Sequence, residues 1–292
     1  MSPDPETLVW YACYGSNCSR DRFLVYLDGG LAEGSADHHD GARDPSPPRA
    51  DGPAVFDTNV CFAGHSGRWG GAPAFLEHRR ADAGALGRRY LITLEQFADV
   101  QAQENRRRPG ELDLPADIGA LAPGERRTVL DSAYGAVAAL APVDGHPTLT
   151  FTAPEPPEHR DPAPPSEMYL ATILHGLREV HDLDPDTLVE RVGRSIGVRP
   201  HWSDDAMRDM LRKGVELFAR RILRRLGPLG PLSAIARSLE VYALGHLLDR
   251  YLGEVRQLRS HRILEPEAQR VRAAIDAAVV RAIYPSVKPN PL

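Results

Sequence analysis

Four consecutive residues, Tyr14-Gly15-Ser16-Asn17, separate the apolar run Leu8-Val9-Trp10-Tyr11-Ala12 from the helical pattern Arg22-Phe23-Leu24-Val25-Tyr26-Leu27. A glycine between a strand and a helix lets the backbone turn sharply. Gly15, Ser16 and Asn17 would then present N–H groups toward one point near a helix N-terminus, a cradle for a carboxylate or a developing oxyanion. An ordinary strand-to-helix turn has the same spelling, and four residues alone do not separate the two readings. The second candidate is Glu104, near the C-terminal end of a helix opened by the capping box Thr93-Leu94-Glu95-Gln96. A carboxylate there meets the negative end of the helix dipole and, in a cleft, loses water. Both effects favour its taking up a proton, as a general base must. The alternative is a solvated glutamate at a helix end.

The elements that position these groups follow from periodicity. Thr7 to Ala12 reads as a strand, and Gly29-Gly30 closes the helix after it. Residues 30–57 are rich in Gly, Pro, Asp and Ala, which marks an excursion rather than a core element. Strands are expected at Val60–Ala63, Ala72–Glu77, Leu86–Thr93, Thr128–Leu130, Tyr134–Leu140 and Thr148–Thr152. A Pro-rich link, Pro154 to Pro165, leads to Ser166, the N-cap candidate of a helix ending near Glu179. Strands with a few flanking helices indicate an α+β fold built on a small mixed sheet or barrel.

After His181 the pattern becomes helical throughout. Ser203 opens an amphipathic stripe from Met207 to Leu226, and further stripes follow Ser233 and Pro266. The reading is therefore two domains, 1–183 and an all-α unit at 184–292, and the chain length fits two. Charge divides at the same place: residues 1–183 carry 16 basic against 27 acidic side chains, and 184–292 carry 19 against 13.

Taken together, these segments resemble the γ-glutamylcyclotransferase superfamily. An apolar strand running into Tyr-Gly-Ser-Asn is the first shared mark. The second is Gly87-Arg88-Arg89-Tyr90-Leu91-Ile92-Thr93 with Phe97 and Glu104, the third Pro165-Ser166-Glu167-Met168-Tyr169 with Gly176, and the fourth Trp69-Gly70-Gly71. The resemblance implies that Glu104 is catalytic, that Tyr14, Gly15, Ser16 and Asn17 hold the substrate, and that Tyr169 closes over it. It also implies the reaction: the α-amine of a γ-glutamyl group attacks its own side-chain carbonyl, giving 5-oxoproline and a released amine or amino acid. Ring closure of this kind is helped by proximity and calls for no metal or cofactor. Three departures stand out: Cys18 after the loop where an aliphatic residue is usual, Asn105 where a glycine usually follows the glutamate, and an insert at 30–57 longer than in the smallest members.

Other chemistries fare worse. The lysines are Lys213 and Lys288, so the first part holds no Schiff-base or P-loop lysine. Cys13, Cys18 and Cys61 form no Cys-x-x-Cys pair and read as reduced, packed thiols. Asp37-His38-His39-Asp40 sits in the Gly/Pro-rich excursion and reads as a solvated loop, so a zinc deacetylase is set aside. Arg220, Arg221, Arg224 and Arg225 make a basic helix end without aromatic interleaving, so no nucleic-acid partner is expected. Neither a secretory signal nor a membrane span is read, which points to the cytoplasm. The expected ligand is a small γ-glutamyl compound. The alternatives are a binding module of the same fold without turnover, and an interaction protein that uses the helical unit for a protein partner or for self-association.

Overall fold

The structure is a computed structural model and describes residues 4–31, 38–81, 84–199 and 201–211. The chain begins with β1 (Leu8–Cys13), then α1 (Arg20–Asp28) and a small ladder of β2 (Gly30–Leu31) with β3 (His38–His39). Next come β4 (Ala50–Val55), β5 (Thr58–Phe62), β6 (Ala74–Arg80), β7 (Leu86–Thr93) and α2 (Leu94–Glu104). The remainder is β8 (Arg126–Thr128), β9 (Ala136–Val143), β10 (His146–Thr152), α3 (Glu167–Val180) and α4 (Pro185–Gly193). Six strands form one sheet in the order β4-β7-β1-β10-β9-β8, parallel only between β1 and β10, while β5 and β6 pair separately. This is the mixed-sheet α+β architecture expected from the sequence.

β1 lies inside the sheet because it is apolar on both faces. Tyr11 stacks on Phe151 at 4.9 Å and meets Phe97 edge-on at 5.7 Å, while Trp10 donates its indole N–H to the Val143 carbonyl. Thr93 and Gln96 close the capping box that opens α2, with both hydrogen bonds at 3.1 Å.

The residues of α2 from Leu94 to Gln103 are nearly all buried, including the polar ones, and each polar side chain fastens a neighbouring loop. Asp99 accepts from the Arg43 and Gly110 backbone N–H groups, Gln96 donates to the Asp44 and Ser46 carbonyls, and Gln103 donates to the Tyr26 carbonyl. Most buried polar groups are bonded in this way. The Gly/Pro-rich stretch is thus more than an excursion: its residues 50–55 form β4, paired with residues 86–91 of β7. The departure from expectation has a physical cause, because an edge strand needs few large apolar residues and tolerates Pro53.

The core runs past residue 183, where the sequence suggests a boundary. Asp184 caps α4, and Leu188, Val189, Val192, Val198, Met207, Met210 and Leu211 join the same buried cluster. Residues 204–211 are helical, with Ser203 Oγ accepting from the Ala206 N–H. The rest of that stripe, the stripes after Ser233 and Pro266, and the basic cluster from Arg220 to Arg225 lie outside the described residues.

Candidate active site

A cavity of about 210 Å³ has all six residues singled out in the sequence on its walls: Tyr14, Gly15, Ser16, Asn17, Glu104 and Tyr169. β1 delivers the turn, α2 ends on Glu104, and α3 supplies Tyr169 from its first turn, where Ser166 Oγ accepts the Tyr169 N–H.

The turn differs in one respect from the expected form. Ser16–Cys18 make a single 3-10 turn, closed by Cys18 N–H to Gly15 O and Ser19 N–H to Ser16 O, both at 3.0 Å. α1 starts only at Arg20, so the loop does not run straight into an α-helix. Among the described residues no protein acceptor pairs with the N–H groups of Gly15, Ser16 or Asn17, as the geometry of a first turn requires.

Glycine at two positions is a matter of space. A Cβ on Gly15 would lie 2.9 Å from the Tyr169 hydroxyl, and one on Gly176 would lie 2.1 Å from the Ser19 nitrogen and 2.2 Å from the Cys18 carbonyl carbon. α3 therefore presses its backbone directly onto the turn, and the distant motif pieces are pieces of one contact.

Both oxygens of Glu104 are engaged. Asn17 Nδ2 donates to Oε1 at 3.0 Å and also to the Tyr11 hydroxyl at 3.1 Å. Arg68 Nη1 donates to Oε2 at 3.3 Å and to the Tyr26 hydroxyl oxygen at 3.0 Å. Each carboxylate oxygen still has lone-pair capacity for a further donor. Asn17 Oδ1 is buried without a hydrogen-bond partner.

Five phenols surround this carboxylate: Tyr11, Tyr14, Tyr26, Tyr134 and Tyr169. Burial pushes each of them well above the ordinary tyrosine range, and the negative charge of Glu104 adds to the shift in every case. They are neutral at physiological pH and act as hydrogen-bonding walls. Tyr14 donates to the Phe151 carbonyl at 2.8 Å, and the Tyr169 ring leans on Trp69 at 4.7 Å.

Sequence reasoning did not single out Tyr11, Tyr26, Arg68, Arg106 or Tyr134. Tyr11 lies inside the recognised strand and Arg68 immediately precedes Trp69-Gly70-Gly71, but no spacing marks them. Arg106 is the most unusual of them. It has φ +58°, and the Arg106 and Arg107 N–H groups bond to the Gln103 and Ala102 carbonyls at 3.1 and 2.9 Å. These two bonds form the helix-ending motif in which glycine is the normal occupant of this position. An arginine there costs about 1 kcal/mol relative to glycine.

Fold and site together define an α+β protein whose cavity is built around one hydrogen-bonded carboxylate. No family model matches the chain. Over 188 residues it is 32% identical to Histone deacetylase 5 of Arabidopsis thaliana, an alignment covering 59% of this chain and 28% of that protein. The chain thus matches little more than a quarter of that relative's length. Among solved structures, one titled "Gamma-glutamyl cyclotransferase" aligns over 70% of this chain and 99% of its own, with a TM-score of 0.40 and 14% identity. A second, titled as an uncharacterized protein from Homo sapiens, aligns over the same shares with a TM-score of 0.39 and 17% identity.

Proposed function

We propose that the chain is a γ-glutamylcyclotransferase-like enzyme that converts a γ-glutamyl amine or peptide to 5-oxoproline and the free amine. The observation that carries this reading is the placement of Glu104, held by Asn17 and Arg68 in the wall of the cavity that also bears the Tyr14 to Asn17 turn. In the reaction Glu104 takes a proton from the substrate α-ammonium, and the freed amine attacks the side-chain carbonyl carbon. The tetrahedral oxyanion is stabilised by amide N–H groups of the turn. Glu104 then passes its proton to the leaving nitrogen, the carbon–nitrogen bond breaks, and the ring nitrogen sheds its second proton. Both protons depart with the amine, which leaves as its ammonium ion. Of the neutral phenols, Tyr11, Tyr14, Tyr134 and Tyr169 line the cavity and give the substrate uncharged hydrogen-bonding walls.

A metal-dependent deacetylation would need several ligands converging on one ion. Among the described residues no group of three or more His, Cys, Asp or Glu side chains could hold one.

The test is turnover of a panel of γ-glutamyl compounds, read as 5-oxoproline by mass spectrometry, with wild type and Glu104→Gln. The amide is isosteric but cannot accept the proton, so kcat falls by about 100-fold or more while binding and fold persist. Retention of more than about a tenth of kcat rejects Glu104 as the base. Binding by a wild type that turns over nothing would make the chain a binding module.

A further inference from the structure

We propose that Tyr90 and Arg88 are positioning residues, and that they set the direction in which the Tyr14 to Asn17 turn offers the N–H groups of Ser16 and Asn17. This rests on the function proposed above and deepens it, because that reading gives the oxyanion to the turn without saying what orients the donors. Both residues lie on β7, which pairs with β1 so that Tyr90 stands opposite Tyr11 and Arg88 opposite Cys13. Residues two apart on a strand share a face. From that face the Tyr90 hydroxyl donates to the Asn17 carbonyl at 2.8 Å, and Arg88 Nη1 donates to the Cys18 carbonyl at 3.2 Å.

A trans peptide is planar, with its N–H directed opposite to its C=O, so holding one end aims the other. Tyr90 holds the carbonyl of the Asn17–Cys18 peptide. The N–H of that peptide bonds to the Gly15 carbonyl at 3.0 Å, and the Gly15–Ser16 peptide so fixed carries the Ser16 N–H. Arg88 holds the Cys18–Ser19 peptide in the same way. Its N–H bonds to the Ser16 carbonyl at 3.0 Å, and the Ser16–Asn17 peptide so fixed carries the Asn17 N–H. Each line of bonds starts at a β7 side chain and ends at a donor with no protein acceptor among the described residues. Hydrogen bonds linked in this way polarise one another. Packing fixes both anchors: the buried Tyr90 ring stacks on Phe23 with centroids 3.9 Å apart, and Arg88 bonds to Asp51 at 2.9 Å and to Glu179 at 2.7 Å. Burial also pushes the Tyr90 phenol well above the ordinary tyrosine range, so it keeps the proton it donates.

The experiment uses Tyr90→Phe in the full chain, which keeps the ring on Phe23 and removes the hydroxyl alone. With the γ-glutamyl compound that wild type turns over fastest, kcat per folded molecule is expected to fall by about tenfold and KM to stay within about twofold, because the oxyanion exists only in the transition state. Arg88→Lys keeps the charge but lacks the fork that holds Asp51, Glu179 and the Cys18 carbonyl at once, so kcat falls in the same direction. A kcat within about twofold of wild type in either variant overturns the proposal, as does a loss that falls on KM alone. Amide hydrogen exchange followed by NMR reads the same arrangement without turnover. In Tyr90→Phe the Cys18 N–H should exchange about tenfold faster or more, while the amides between β1 and β10 keep their rates. Unchanged exchange at Cys18 overturns the proposal whatever the turnover, and acceleration spread evenly over β1 and β10 overturns it by making the hydroxyl a support of the whole fold. Faster exchange confined to the turn, with no cyclisation by wild type, keeps the positioning role and removes the reaction.

Discussion

On one side of the cavity every group is delivered by the core. β1 brings Tyr11 and the turn, α2 brings Glu104, α3 brings Tyr169, and their backbones touch at Gly176 with no room for a methyl group. On the other side stands the loop 64–70, folded on itself by bonds from the Ser66 N–H to the Gly71 carbonyl and from the Trp69 and Gly70 N–H groups to the Ser66 carbonyl. Its Gly67 has open space where a side chain would begin. The core side fixes where the base is, because moving it would break packing. The loop side contributes charge through Arg68 and an aromatic cover through Trp69. Position and charge at one site thus come from parts of the chain under different physical constraints.

The sharpest way to break this comparison is to add volume on each side. Gly176→Val drives side-chain atoms into the Cys18–Ser19 backbone, which cannot rotate away, and should cost about 3 kcal/mol or more in chemical denaturation. Gly67→Ala should change stability by no more than about 0.5 kcal/mol. Equal costs at the two positions would show that the loop is packed as tightly as the core.

A middle-sized effect comes from charge. Arg68→Met keeps the aliphatic stem and removes the donor to Glu104, so kcat/KM should fall by about 10- to 100-fold while stability drops by about 1 kcal/mol. A stability loss as large as that of Gly176→Val would place Arg68 among the residues that hold the fold.

The smallest effect is one of pH, on the core side. His181 follows α3 and its Nε2 is 2.7 Å from the Gly87 carbonyl, and burial, aided by the nearby Arg191 and Arg88 charges, pushes it below the usual 6.5. The unfolded chain therefore takes up this proton first as pH falls. The contribution to stability is complete above about pH 6.5, declines as pH drops from there to the folded-state value, and changes no further below it. Denaturation curves across this range should show a shallow decline that His181→Gln flattens.

These contrasts match what could be read from the sequence. The core side was legible because its constraints are local and periodic: the apolar strand at Leu8–Cys13, the capping box at Thr93, and the N-cap at Ser166 all have short-range spellings. β4 was not, since an edge strand carrying Gly52 and Pro53 takes its identity from pairing with β7 rather than from its own composition. α4 fell beyond the expected boundary, because the change to a helical pattern and to basic charge after residue 183 does not say what the segment packs on. Arg68 and Tyr134 reach the cavity, and Tyr26 reaches Arg68, from three separate stretches of chain, and only the folded backbone brings them together. Arg106 gave no signal at all, because the sequence shows an arginine and conceals the sign of its φ.

The parallel pairing of Trp10 with Thr148 and of Tyr11 with Leu149 has a consequence for the order of events during synthesis. β1 leaves the ribosome early, yet its neighbours on both sides are β7 and β10, encoded far downstream. At about 5 to 20 residues per second, the nascent strand waits roughly 10 seconds for its last partner. Until β7 is made both edges of this apolar segment are unpaired, and from then until β10 is made one edge stays open to any other strand in reach. Expression at lowered temperature or with added chaperone capacity should therefore improve the soluble yield of this chain more than any change to the cavity.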